Sequence, residues 1–224
     1  MASTLAERYA RVKATIPPGV DLIAVSKTRT VEDIRELYDL GQRAFGENYP
    51  QELRTKAPLL PSDIEWHFIG HLQRSNARHV AGLVSLIHGV DNDRLIDELD
   101  KRGRALGRPI DVLLQVHIAQ EESKHGFDLD ELRTLLQQPD PQGRWPHVRI
   151  SGLMGMATNT LDRSQVLQEF STLAATFHEV VTNSPFPAGQ FRILSMGMTG
   201  DMDLAIQAGS TMVRVGTALF GDRS

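Results

Sequence analysis

The chain contains no cysteine. Disulfides, thiolate nucleophiles and cysteine-ligated metals are therefore excluded. Long apolar runs are also missing. No stretch approaches the ~20 consecutive apolar residues that a membrane-spanning helix needs. The first twenty residues, MASTLAERYARVKATIPPGV, are charged and amphipathic and lack the apolar core of a signal peptide. There is no surplus of positive charge either. Lys and Arg number 24 against 28 Asp and Glu, a formal net charge of −4, which leaves no basic footprint for nucleic acid. Tyrosine is scarce, with only Tyr9, Tyr38 and Tyr49. These absences lead us to expect a cytoplasmic protein.

What is present is a repeating architecture in an ordinary globular composition, 41% hydrophobic and 23% charged over 224 residues. Residues 3–16 read as a helix ended by Pro17 and Pro18. Apolar runs then alternate with segments of helical period. The runs are Leu22–Ser26, Ala44–Gly46, Trp66–Gly70, Leu86–Val90, Val112–Ile118, Ile150–Met156, Ile193–Met196 and Met212–Val215. The helical segments are 31–40, 49–57, 74–82, 92–106, 128–138, 161–182 and 202–208, with a short terminal turn at 217–220. Strands alternating with helices imply a parallel sheet with right-handed crossovers. Eight units in ~200 residues predict an α/β protein, a single closed (β/α)₈ barrel, with one extra N-terminal helix. An open doubly wound sheet would carry a glycine-rich turn after the first strand, where this chain has Ser26-Lys27-Thr28-Arg29. No strong linker divides the chain, so residues 1–224 are expected to form one domain. The loops 139–146 (PDPQGRWP) and 184–189 (SPFPAG) fit connections at the N-terminal face.

In such a barrel chemistry gathers at the C-terminal strand ends. In order these are Lys27, Glu47-Asn48, Gly70-His71, Asp91-Asn92, His117, Met154-Gly155-Met156, Ser195-Met196-Gly197-Met198 and Arg214-Val215-Gly216-Thr217. The last two segments carry glycines and hydroxyls where barrels often bind phosphate. Small residues let backbone N–H groups approach an anion; the same glycines also suit tight turns. Lys27 is then an amine expected across the mouth from an anion cradle. A desolvated lysine forms Schiff bases, and a ligand with both an aldehyde and a phosphate is pyridoxal 5′-phosphate. Spacing alone leaves a solvated strand end as the alternative. Arg214 shares a face with Gly216. An arginine opposite a pyridine nitrogen keeps that nitrogen unprotonated and weakens the ring as an electron sink.

The segments AVSKTRT, FGENYPQEL, WHFIGHLQRSN, GLMGMAT and LSMGMTGDMDLAIQAGSTMVRVGTALFG together resemble the pyridoxal phosphate homeostasis protein family, the proline synthetase co-transcribed homologues. The likeness runs over nearly the whole chain. It implies a fold-type III pyridoxal phosphate barrel similar to the N-terminal domain of alanine racemase, with Lys27 carrying the internal aldimine. It also implies phosphate contacts from Ser195, Gly216 and Thr217, and Arg214 near the ring nitrogen. Asn48 and His71 would line the ring, and Met196, Gly197 and Met198 would complete the seventh loop. SMGMTGD departs from the familiar SMGMSDD. Thr199 keeps a hydroxyl, whereas Gly200 removes a carboxylate.

The eight histidines are scattered, and no HExxH occurs. No ligand set with nearby carboxylates is evident, so no metal site is expected. Lys124 and His125 fall in a loop after strand five. The resemblance implies a protein that binds vitamin B6 cofactor and keeps its intracellular level in balance, indirectly affecting amino-acid and keto-acid pools. Apo-enzymes that use pyridoxal phosphate are the expected recipients. The alternative is an amino-acid racemase. Racemisation needs acid/base groups on both faces of a carbanion. In alanine racemase the second base is a tyrosine of a partner chain's separate β domain. The sequence ends at Ser224 and no tyrosine has a claim to that face, so a non-enzymatic monomer is expected.

Overall fold

A computed structural model of the chain describes residues 3–121, 125–137, 141–183 and 185–221. Eight strands form a closed barrel in sequence order. They are β1 (Asp21–Val25), β2 (Ala44–Glu47), β3 (Glu65–Phe68), β4 (Leu86–Val90), β5 (Ile110–Val116), β6 (Val148–Gly155), β7 (Ile193–Ser195) and β8 (Met212–Val215). All neighbouring pairs are parallel. The helices are α1 (Leu5–Thr15), α2 (Val31–Asp39), α3 (Pro50–Lys56), α4 (Ala77–Val80), α5 (Asp93–Leu106), α6 (Leu129–Leu136), α7 (Pro141–Arg144), α8 (Arg163–Thr182), α9 (Met202–Gln207) and α10 (Thr217–Phe220). The expected fold class is thus the observed one, with most strand and helix limits within two residues.

Local sequence explains where the helices start. Thr4, Thr30 and Asp128 each accept the N–H three residues on, and Glu7, Asp33 and Glu131 reach back to the cap N–H. Each reciprocal pair satisfies two backbone donors that a helix start leaves unmatched. Helix α8 buries Val166, Phe170, Leu173, Ala174 and Phe177, the three- and four-residue spacing of an apolar stripe. The segment 74–82, expected as one helix, is a 3₁₀ turn at Arg74–Asn76 followed by α4. A second difference is α7, a helical turn inside the segment read as the loop 139–146. Its neighbour Trp145 is buried and donates Nε1–H to Asp97 at 2.7 Å, while Arg144 pairs with Asp93 at 3.0 Å. Tertiary anchoring thus organises a run that local propensity leaves irregular.

Two apolar layers result from the alternation of side chains along each strand. One fills the space between strands and helices, with Phe45, Phe68, Val112, Phe170 and Leu194 wholly buried. The other lies inside the barrel and comprises Ile23, Leu86, Leu113, Met154 and Met212. Met154 therefore fills the barrel, as its type suggested. Strand β6 carries an irregularity: Val112 registers with Ile150, but Leu113 registers with Gly152. Gly152 has φ +154°, and a Cβ there would lie 1.8 Å from the Ile193 carbonyl oxygen. Only glycine allows β6 and β7 to approach. Gly152→Ala is expected to cost at least ~2 kcal/mol through overpacking and backbone strain, read as a lowered urea midpoint with an unchanged m value.

Candidate functional site

Strand β1 points Ile23 into the barrel and buries Leu22 and Ala24 in the outer layer. Ser26 extends the pairing with β2 through its N–H to the Gly46 carbonyl, and Lys27 follows in the turn. Lys27 is half-buried in the turn that follows β1. Closure of the barrel pairs Ala24 with Val215, so Lys27 sits beside the end of β8. The expectation of an amine across the mouth from the eighth strand is corrected on this point, because the first and last strands of a closed sheet are neighbours.

The backbone around Lys27 is clamped by residues to which sequence reasoning assigned no part in the anchor. Ser26 is wholly buried, and its hydroxyl donates to Glu47 Oε1 at 2.7 Å. The Lys56 ammonium, itself buried, donates to the Ser26 carbonyl and to Glu47 Oε1, both at 2.9 Å, and to Glu52 Oε2 at 2.6 Å. Thr28 adopts φ +62°, a conformation that costs a β-branched residue energy. Its N–H donates to Glu52 Oε2 at 2.7 Å, which holds that conformation. Arg29 donates to the Gly221 carbonyl and stacks over Phe220, 5.4 Å from the ring centroid. That contact ties the turn bearing Lys27 to α10, which starts at Thr217. Glu52 and Lys56 are an i,i+4 pair, a signal available in sequence; their burial is not. Burial pushes the Glu47 carboxyl up, while Lys56 and Ser26 oppose it.

Arg214 lies wholly inside the barrel. It donates to the Ser195 carbonyl at 2.9 Å, to Ser195 Oγ at 2.6 Å and to the Gly155 carbonyl at 3.2 Å. Desolvation pulls its pKa down to about 10, so it stays charged at neutral pH. Ser195 Oγ is 3.1 Å from His88 Nδ1, and His88 Nε2 is 2.9 Å from His67 Nδ1. Arg214 donates to the serine oxygen, and the direction of the Ser195–His88 and His88–His67 bonds is set by the tautomer of the two imidazoles. Burial lowers His67 to about 4, and burial, His67 and Arg214 together hold His88 well below its ordinary value. Two neutral imidazoles and a hydroxyl thus connect the cation to the other end of the barrel. There His67 lines a cavity of about 540 Å³ with Asp21, Glu65, Asp111, Arg149 and Arg192.

The loop after β7 meets the end of β8. Gly197 has φ +94°, and a Cβ there would lie 2.5 Å from the Ala205 Cβ, so glycine is required. The Met198 N–H donates to Asp201 Oδ1 at 2.6 Å, and burial raises the Asp201 carboxyl. The carboxylate one residue past Gly200 therefore shapes this loop. The Gly216 N–H lies 3.4 Å from Thr199 Oγ1, joining the two segments. Gly216 is half-buried, and Met198 and Thr217 are exposed.

Met196 is wholly buried in the outer apolar layer, and its N–H goes to the Met212 carbonyl; one step along β7 from the inward Ser195, it must face outward. Ser195, expected on phosphate, has its hydroxyl engaged by Arg214 and His88. Asn48 is half-buried at the end of β2, and its buried Oδ1 has no hydrogen-bond partner. His71 lies exposed at the rim with Nδ1 3.1 Å from Asp91 Oδ2, and its ring stacks on His125 at 3.9 Å. A cleft of about 940 Å³ beside it is lined by His71, Arg74, Asp91, Arg94, Phe127 and Asp128 and does not include Lys27 or Arg214. Lys124 lies outside the described residues. The hydroxyls of Tyr9 and Tyr38 bond Gln42 and Asp63, and Tyr49 is exposed at the start of α3.

Residues 2–224 match the family described as alanine racemase, N-terminal domain. The pyridoxal phosphate homeostasis protein of Pasteurella multocida is 40% identical over 208 residues, 92% of this chain and 87% of that one. Its counterpart in Vibrio alginolyticus is 42% identical over 212 residues, 92% and 88% of the two chains. Among solved structures, PipY of Synechococcus elongatus with pyridoxal phosphate bound is 38% identical with a TM-score of 0.86, covering 97% of this chain and all of that one. Alanine racemase of Bartonella henselae shares the fold at 19% identity, with a TM-score of 0.73 over 98% of this chain and 60% of that one.

Two outcomes are expected from this geometry. Removing the cation by Lys56→Met leaves Glu47 buried without its partner and should cost about 3–5 kcal/mol in urea unfolding, much of it recovered by adding Glu47→Gln. His67 should remain neutral by NMR down to about pH 4. Between pH 6.5 and 4 the unfolded chain binds protons that native His67 refuses. Stability is therefore full above that window and falls as pH drops through it; a flat stability curve there would contradict the assignment.

Proposed function

The chain belongs to the family of pyridoxal phosphate homeostasis proteins, within the alanine racemase N-terminal domain family, and on that premise we propose that it binds pyridoxal 5′-phosphate on Lys27 and keeps the intracellular cofactor in balance. The observation that supports this reading is the half-buried place of Lys27 in the turn after β1, which pairs with β8, with its flanking backbone held by Glu47, Glu52 and Lys56. The residues present fit the group. Asn48 Oδ1 is an orphaned buried acceptor at the same rim. The joined loops at Gly197, Thr199, Gly216 and Thr217 offer hydroxyls and backbone donors near Lys27.

When bound, the cofactor supplies an aldehyde that condenses reversibly with amines and a ring that accepts electron density. The chain's own residues do the rest. Lys27 would provide the amine, Thr217 and the Gly216 backbone would hold the phosphate, and Asn48 would line the ring. Arg214 remains protonated near neutral pH and cannot give the ring nitrogen a proton without losing its own charge. That weakens the ring as an electron sink and suits storage better than turnover. The positions of Tyr9 and Tyr38 favour the same side, since both are engaged in the helix layer. We include in the proposal that residues 1–224 act as one cytoplasmic, monomeric domain and that the cofactor passes to apo-enzymes; the exposure of Met198 and Thr217 at the rim supports an open exit.

Purified protein mixed with the cofactor should show a visible absorbance band that borohydride removes by fixing the cofactor to Lys27. Lys27→Ala should lack that band, and an undiminished one would remove the assignment. Thr217→Ala should keep the band and weaken retention about tenfold, the scale of one hydrogen bond to a charged group. Robust loss of optical activity from alanine or serine would favour a racemase instead.

A further inference from the structure

We propose that His71, Asp91 and His125 form a binding site for a divalent transition ion of the zinc, copper or nickel class, on the rim of the barrel and separate from the Lys27 anchor. The three residues come from the ends of β3 and β4 and from the segment after β5. Their donor atoms all lie within 4.8 Å of one another. His71 Nδ1 and Asp91 Oδ2 are 3.1 Å apart. Two donors of a tetrahedral zinc ion with ~2.1 Å bonds lie ~3.4 Å apart. An ion can therefore take the place of a hydrogen between these two groups, the imidazole then carrying its proton on Nε2. The carboxylate is held for this: Asp91 is mostly buried, and its other oxygen accepts from Asn92 Nδ2 at 2.6 Å. Such support of a ligating carboxylate is what raises metal affinity in known sites.

His125 supplies the third donor. Its ring stacks on His71 with centroids 3.9 Å apart and planes 17° from parallel. Stacked rings do not yet converge on one point. Both side chains are exposed, so rotation about their side-chain torsions brings the donors together at little cost. Two imidazoles and one carboxylate select zinc, copper or nickel over calcium or magnesium, which prefer all-oxygen shells. Other histidines are less suited. His67 and His88 are buried and bonded to each other, and His117 Nε2 is 3.0 Å from the Glu121 carbonyl. Three protein donors leave a position open, and it would face the 940 Å³ cleft that His71 and Asp91 line.

The test uses untagged, cofactor-free full-length protein titrated with Zn²⁺ by calorimetry and with Cu²⁺ by electron paramagnetic resonance. One equivalent of Zn²⁺ should bind with micromolar affinity. His125→Ala and Asp91→Asn should each weaken it at least about tenfold, with circular dichroism showing that both variants fold. The Cu²⁺ spectrum should lose one nitrogen coupling in His125→Ala. Absence of saturable binding below about 1 mM, or affinity unchanged in both variants, would overturn the proposal. The cofactor band of His125→Ala should be intact, so a failure here is distinct from a failure of the cofactor reading.

Discussion

Closure of the sheet at the β1–β8 pair, where Asp21 to Ala24 register with Met212 to Val215, brings the beginning of the chain against its end. Nearly two hundred residues of strand and helix serve to make that contact. Its effect is local and chemical. The one amine at the end of β1 comes beside the backbone donors and hydroxyl at the end of β8, and the two loops are then tied by Arg29 on Gly221 and Phe220. Without closure these groups would lie at opposite edges of an open sheet.

Buried charge supports this rim in two places, and both are matched rather than neutralised. Behind β1, Lys56 lies between Glu47 and Glu52 and accounts for the Ser26 carbonyl as well. Inside the barrel, Arg214 spends its donors on Ser195 and Gly155. Charges so enclosed are costly to leave unpaired, and their geometry is correspondingly restricted. Lys27, through its flanking backbone, and Arg214 therefore stand on frameworks with few alternative arrangements. The two neutral histidines below Ser195 extend that framework without adding charge beside Arg214.

Much of this was legible before the fold was known. The alternation of apolar runs and helical periods is a local property, and it placed the strands, the helices and the residues at the strand ends. The terminal segments with Gly197, Thr199, Gly216 and Thr217 carry their chemistry in residue types alone. Ser195 and Met196 were harder. Both sit at the right strand end, but which faces inward depends on the strand's register within the barrel, and a hydroxyl's partner depends on what the facing strands present. The α7 turn was missed for a similar reason, because Trp145 and Arg144 organise it through contacts to α5.

By itself the sequence determined the parallel barrel and its strand ends and singled out Lys27 as the amine proposed for the anchor, because periodicity and residue type are recorded along the chain. Only the tertiary structure decided that the turn bearing Lys27 follows a strand paired with β8, that Lys56 is buried on Glu47, and that the donor atoms of His71, Asp91 and His125 lie within 4.8 Å of one another. Those are distances between residues far apart in sequence, and they exist only once the strands have closed into a ring.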